Sequence, residues 1–291
     1  YARQGEYNSF RNVMSEKELR QTNPATLTGL LAQLQSHRHQ VLYYGPSTLK
    51  SLCQLIDRVH ATPRQLLPAP TAKLYQDQPT PQTEVLIAPY KAQNIYMAQY
   101  TNRNKMWTPD EAPMISLFNE YFGGGMNAIV FQELREARGL AYHASARYLQ
   151  PQRKGGNESF YTLILTQNDK MMDCVHEFNT LLDSLPQRQA GFDLAKQSLR
   201  KSLATNRTNR MDIINAWIAA QKRGLNEDIN KRIYEALPKI QLTDLIRFQQ
   251  ENIRKQPMKY IILGNEDALD MKALERIGQV KHLSTATIFG Y

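Results

Sequence analysis

Arg135 and Tyr142 are the two side chains whose types and spacing best fit a chemical task in this sequence. Both lie in the 27-residue stretch FGGGMNAIVFQELREARGLAYHASARY, from Phe122 to Tyr148. A guanidinium fork and a phenol hydroxyl presented together suit a peptide carbonyl or a carboxylate, because both can donate hydrogen bonds to an oxygen. The chemistry they point to is peptide handling.

The flanking residues say how the pair is positioned. Gly123, Gly124 and Gly125 break the chain ahead of a helix expected over Met126–Ala137. A phosphate-binding nest is one use of such glycines, but no GK[ST] follows them, and a flexible helix–helix junction is the favoured reading. In the expected helix Met126, Ile129, Val130, Leu134 and Ala137 form a buried stripe. Arg135 sits on its flank near the C-terminal end, where the helix dipole favours a cation. Gly139 is placed to end the helix in a left-handed conformation. A strand over Leu140–Tyr148 then puts Leu140, Tyr142, Ala144 and Ala146 on one face, with Ala141, His143, Ser145 and Arg147 on the other.

Further out, two parts of the chain share a plan. Pro24 opens a helix with Leu27, Leu30, Leu31 and Leu34; a short strand Val41–Tyr44 ends at Gly45-Pro46; Ser47 caps a helix with Leu49, Leu52, Leu55, Ile56 and Val59. Near the other end Thr243 caps a helix with Leu245, Ile246 and Phe248, the strand Tyr260–Leu263 closes at Gly264-Asn265, and Ala268–Ile277 is helical. A repeat with so long a period reads as duplicated domains. On this reading residues 1–62 are the tail of a preceding α+β domain and 63–83, with five prolines, an extended linker. Residues 84–291 are then a complete second domain. Within it, strands over Glu84–Ala88, Asn94–Thr101, Leu140–Tyr148 and Ser159–Thr166 come in pairs. Helices over Pro113–Tyr121, Met171–Leu185, Gly191–Ala204 and Asp212–Arg223 are collected elsewhere. That order predicts an α+β fold, an antiparallel sheet packed with helices.

Composition narrows the classes. No apolar run reaches the ~18 residues of a membrane helix, and no signal peptide is visible in the residues given. Cys53 and Cys174 lack any paired or metal-type spacing and read as small buried hydrophobes. The net charge of +9 is concentrated between Arg188 and Arg232, with ten basic residues against four acidic ones. Nucleic-acid binding is one reading of such a stretch; without interleaved aromatics, a solvated helical face is preferred.

The stretch Asn119–Tyr148 resembles the C-terminal-half motif of the pitrilysin/insulinase family of zinc metallopeptidases, the inverzincins. There a glycine break, a helix ending in Arg, and a Gly-Leu step lead to a Tyr seven residues beyond that Arg, as Arg135 and Tyr142 stand here. The likeness extends over 85–291 in element order. It implies the non-catalytic half of a clamshell peptidase, in which Arg135 and Tyr142 bind the backbone of an extended peptide and stabilise its developing oxyanion. One part of the family pattern is missing. H-x-x-E-H, which binds zinc and supplies the general base, is not formed by His37, His39, His60, His143, His176 or His282. His37-x-His39 and His176-Glu177 come nearest and lack further ligands.

The resemblance therefore implies no catalytic residue, metal or cofactor in this chain. Zinc belongs to an N-terminal catalytic half, in the same polypeptide or a separate subunit. An inactive scaffold subunit partnering a zinc-bearing one is the alternative. The only pointer to localisation is the bacterial periplasm or cell envelope of many relatives.

Overall fold

The computed structural model describes residues 1–291 and contains one six-stranded sheet. Its strands are β1 (Glu84–Pro89), β2 (Asn94–Thr101), β3 (His143–Leu149), β4 (Ser159–Gln167), β5 (Lys259–Gly264) and β6 (Gln279–His282). The spatial order is β3-β4-β2-β5-β1-β6. From β3 to β5 every pairing is antiparallel, as the sequence predicts. At the other edge β1 runs parallel to both β5 and β6. Both causes of this edge escape the sequence pattern: β6 is a four-residue strand too short and too exposed to carry an alternating pattern, and the parallel β1–β5 pairing joins strands far apart in the chain. The sheet is thus mixed, within an α+β architecture.

The helices before the sheet are α1 (Glu16–Gln21), α2 (Pro24–Gln33) and α3 (Leu49–Val59). Those that come after its first two strands are α4 (Ala112–Phe122), the short α5 (Ile129–Phe131), α6 (Met171–Asp183), α7 (Gln189–Thr205), α8 (Arg210–Arg223), α9 (Ile229–Ala236), α10 (Leu242–Asn252), α11 (Met271–Ile277) and α12 (Thr285–Phe289). α4 lies at the centre of the core. A capping box between Thr108 and Glu111 and a Pro in its first turn start it. Ile115, Leu117, Phe118, Tyr121 and Phe122 are buried along it. The Phe118 ring meets Phe122, Phe160 of β4 and Phe248 of α10 at centroid distances of 5.1, 6.4 and 5.3 Å. Burying each such side chain stabilises the fold by about 1.5–3 kcal/mol.

Residues before the sheet behave differently. No apolar side chain ahead of Val85 is buried. Val41–Tyr44 forms no strand, because no neighbouring strand pairs with its backbone, and α3 is capped by Thr48 rather than Ser47. Leu27, Leu30, Leu31, Leu34, Leu49 and Val59 stay exposed, whereas their counterparts Leu245 and Phe248 sit in the core. The structure thus gives no support to the duplication expected from the sequence. Cys53 is exposed on α3, contrary to expectation, while Cys174 is buried in α6. The proline-rich segment has no helix or strand of its own; Thr80 N–H donates to Asn102 O at the end of β2.

One polar cluster penetrates this core. Glu158, 2% exposed, accepts from the Tyr148 hydroxyl at 2.8 Å and pairs with Lys105 at 3.3 Å. Burial pushes its carboxyl up to about 7, and sharing with Glu111 adds to the rise. Burial opposes ionisation of Glu111 too, but hydrogen bonds from Glu158 and Lys105 hold that carboxyl below its ordinary value. The two carboxyls are thus driven apart in acidity, Glu158 upward and Glu111 downward, as neighbouring like charges are.

Two predictions follow from this packing. Glu158 has a folded pKa above its ordinary 4.5, so its stabilising contribution is complete below that value and is lost as pH rises through about 7. Glu158→Gln should therefore gain stability relative to the parent chain across that window in urea titrations; parallel profiles would contradict the assignment. Gly123, at the end of α4, faces the backbone of Ala146 so closely that an added Cβ would overlap it. Gly123→Ala should cost about 1–3 kcal/mol. Gly125→Ala, where a Cβ meets nothing within 4 Å, should stay within about 0.5 kcal/mol.

Candidate functional site

The glycine-to-strand stretch is non-helical at its start and wound more loosely at its end than a regular helix. Gly123 caps α4, and the next helical turn begins only at Ile129. Met126 is thus outside the helix and 74% exposed, not part of a buried stripe. Ala128, Ile129, Val130 and Leu134 do bury; Ala137 does not. Gln132–Ala137 is a π-turn rather than α-helix, a widening that is common at functional positions. Gly139 then takes φ +59°, the left-handed stop that its sequence position predicts. The chain turns, and Leu140 N–H bonds to Leu134 O at 2.9 Å.

Arg135 lies in the π-turn with its guanidinium 4.9 Å from the centre of the Phe131 ring. Its nearest acid is Glu136, at 3.7 Å, and about half of the side chain is exposed. Other charges in the turn are committed elsewhere. Glu133 binds Arg138 at 2.5 Å and also Arg188 ahead of α7, while Arg138 reaches Glu177 of α6 at 3.2 Å. Hydrogen bonding from Arg138, reinforced by Arg188, holds the Glu133 carboxyl below its ordinary value. These ion pairs fasten the turn to two helices and leave Arg135 as its loosely held cation. Nothing in the local pattern singles out Glu133, Arg138, Glu177 or Arg188, because the pairs that join the turn to α6 and α7 form only in the folded chain.

Tyr142 departs from the expected alternation. Ala144, Ala146 and Tyr148 are buried on the helix-facing side of β3, yet Tyr142 is 82% exposed. The reason is that β3 starts at His143, so Tyr142 belongs to the bend before it and is not bound by the period of the strand. Its N–H still bonds to Leu165 O at 2.8 Å, which fixes its backbone to β4. No hydrogen bond joins Arg135 and Tyr142, so each is free to meet an external acceptor.

β3 is an edge strand, and its outer edge is only partly closed. Ala146 N–H bonds to Gly123 O at 3.4 Å. The Asn119 amide both accepts from Tyr148 N–H at 2.7 Å and donates to Tyr148 O at 3.0 Å. By the alternation of a strand, the next outward-facing backbone is that of Ala144, and no comparable bond covers it. The open length of edge thus begins beside Tyr142. Gly123 earns its place here as the residue that lets α4 approach β3 closely enough to cover the rest.

No group of three or more His, Cys, Asp and Glu side chains is arranged to hold a metal ion, and no helix is long and apolar enough to cross a membrane. In the basic stretch Lys196 donates to the Pro238 and Ile240 carbonyls, Arg232 pairs with Glu227 and Asp110, and Arg200 and Arg223 stack on Tyr234 and Trp107.

A family model for the peptidase M16 inactive domain matches residues 33–199, more than half of the chain. Among solved structures, the fold is similar to a peptidase M16 inactive domain from Pseudomonas fluorescens. That match has TM-score 0.57 and 18% identity, over 71% of this chain and 48% of that one. A protease from Helicobacter pylori matches with TM-score 0.59 and 13% identity, over 75% and 53% of the two chains. A conserved protein from Enterococcus faecalis V583 matches with TM-score 0.58 and 14% identity, over 76% and 50%. A search of curated proteins finds no match. The chain spans about half the length of these solved structures. With the family model over most of its centre and the same fold in these relatives, the chain belongs to the peptidase M16 family as a non-catalytic, inactive-type domain.

Proposed function

We propose that this chain is the substrate-holding half of a zinc endopeptidase of the inverzincin type, acting together with a catalytic half that supplies zinc and the general base. An extended peptide lies along the open edge of β3 and adds a strand through its backbone. Tyr142 and Arg135 donate hydrogen bonds to its carbonyls near the bond to be cut. Their contribution is electrostatic, strengthening as negative charge develops on the oxygen, and involves no proton transfer.

The observation that carries this reading is the edge of β3. Its backbone is covered at Ala146 and Tyr148 and uncovered at Ala144, beside an exposed Tyr142 with a loosely held Arg135 in the preceding turn. The need for a catalytic half is supported by the family of the inactive domain and by the chain's length relative to its structural neighbours. Residues 1–62 fit the reading as the last part of a preceding α+β domain. Their apolar residues are exposed where those of the second copy are covered by a sheet. The same observations accommodate a catalytic half carried on a separate subunit.

The test is steady-state peptide hydrolysis by the assembled halves. Arg135→Ala and Tyr142→Phe should each lower kcat on the order of a hundredfold, the scale of losing one oxyanion donor. Zinc content and thermal midpoint should be unchanged. Wild-type kinetics in both variants would remove the pair from the mechanism.

A further inference from the structure

The segment His37–His60 contains a second arrangement with chemistry of its own. His39 Nδ1 lies 2.6 Å from the backbone carbonyl of His37. A carbonyl oxygen only accepts, so that nitrogen carries the proton, and Nε2 of the neutral ring presents a lone pair. Nε2 faces Nε2 of His60 at 2.8 Å, with the rings nearly perpendicular at 87°. At this separation one proton bridges two nitrogens. His60 is held in place as the cap of α3, its N–H bonded to Ile56 O at 2.7 Å.

We propose that His39 and His60 form a two-imidazole site for a borderline divalent cation such as Zn²⁺, Ni²⁺ or Cu²⁺, which takes the place of the bridging proton. Imidazole nitrogen suits these ions. Metal–nitrogen bonds of about 2.0–2.1 Å in a tetrahedral arrangement set the two nitrogens about 3.3 Å apart. To reach that span the exposed rings separate by about half an ångström and tilt so that both Nε2 lone pairs converge on a point off the line between them. His39 already has the outer-shell feature of a metal-bound histidine, its second ring nitrogen fixed on a backbone carbonyl. On binding, the His60 ring changes tautomer: Nε2 gives its proton to water and Nδ1 takes one from water, so the ring stays neutral and no net proton is released.

His37 contributes its carbonyl and not its ring, whose Nδ1 is engaged with Pro68 O at 2.9 Å. No third His, Cys, Asp or Glu joins the pair, so water completes the coordination and binding is reversible. The ion would tie the start of the Val41–Tyr44 segment to the end of α3. It would thereby close a loop whose apolar side chains have no core to hold them here. This inference is independent of the peptide-holding role of Arg135 and Tyr142.

Calorimetric titration of the full chain with Zn²⁺ alone tests it. The expected result is one saturable site, with affinity lowered by more than about tenfold in His39→Gln and in His60→Gln, since losing even an outer-shell partner of a ligand costs about that much. His37→Gln should leave the affinity unchanged. Absence of a saturable site, or equal binding by all four proteins, would overturn the proposal. A readout that needs no substitution is line broadening by Cu²⁺ in proton spectra. Broadening confined at first to the His39 and His60 rings supports the site, and broadening spread evenly over all six histidines overturns it.

Discussion

The fold depends on β5 occupying the gap between β1 and β2. Its residues 259–264 come late in the chain, yet they bond in parallel to β1 and antiparallel to β2, whose residues 84–101 come early. Without this strand the sheet separates into an antiparallel β3-β4-β2 piece and a parallel β1-β6 pair. Each piece would expose the apolar face that α4, α6 and α10 cover. The pairing is long-range, so chain entropy must be lost before the contacts form. Once formed, it makes β3 and β4 part of a rigid frame. That rigidity is what a peptide-holding edge requires, since a site on a loop alone would not fix the Tyr142 backbone against Leu165.

Local chemistry then decides which side chains on this frame are available. Around the π-turn, Glu133, Arg138, Glu177 and Arg188 satisfy one another, and Arg135 is left with a longer 3.7 Å contact to its neighbour Glu136 and an aromatic ring. Surface ion pairs of this kind add little stability singly; their value here is positional. The same division appears along β3. Gly123 and Asn119 cover the later part of its edge, and the earlier part is open. Core packing of α4 against β3 and the exposure of Tyr142 are therefore two outcomes of one arrangement.

Much of this was legible in the sequence wherever a single local cause dominates. β2 has the predicted limits because its strand-forming residues are bounded by polar ones. Gly139 adopts the left-handed stop its position requires. α2 starts at Pro24 as a first-turn proline should. Places where the reading failed involve partners or offsets that periodicity does not encode. Met126 and Tyr142 both lie just outside the element expected to contain them, three residues before α5 and one before β3. Val41–Tyr44 has strand-forming residues and no partner strand. Cys53 follows the same rule: its helix has an apolar face and no core beneath it. β6 was hidden because a short, exposed strand carries no pattern, and the parallel β1–β5 pairing because local pattern does not say which distant strand lies alongside. The Glu158–Glu111–Lys105 cluster was equally hidden, since its members meet only in three dimensions.

The central claim is division of labour: this chain holds the peptide and another half cuts it. The most direct measurement is hydrolysis of a quenched fluorescent peptide by the chain alone and mixed with the catalytic half, each with and without a zinc chelator. The account predicts no hydrolysis by the chain alone, hydrolysis by the mixture, and loss of that activity with chelator. Hydrolysis by the purified chain alone, or a mixture no more active than the catalytic half by itself, would contradict it.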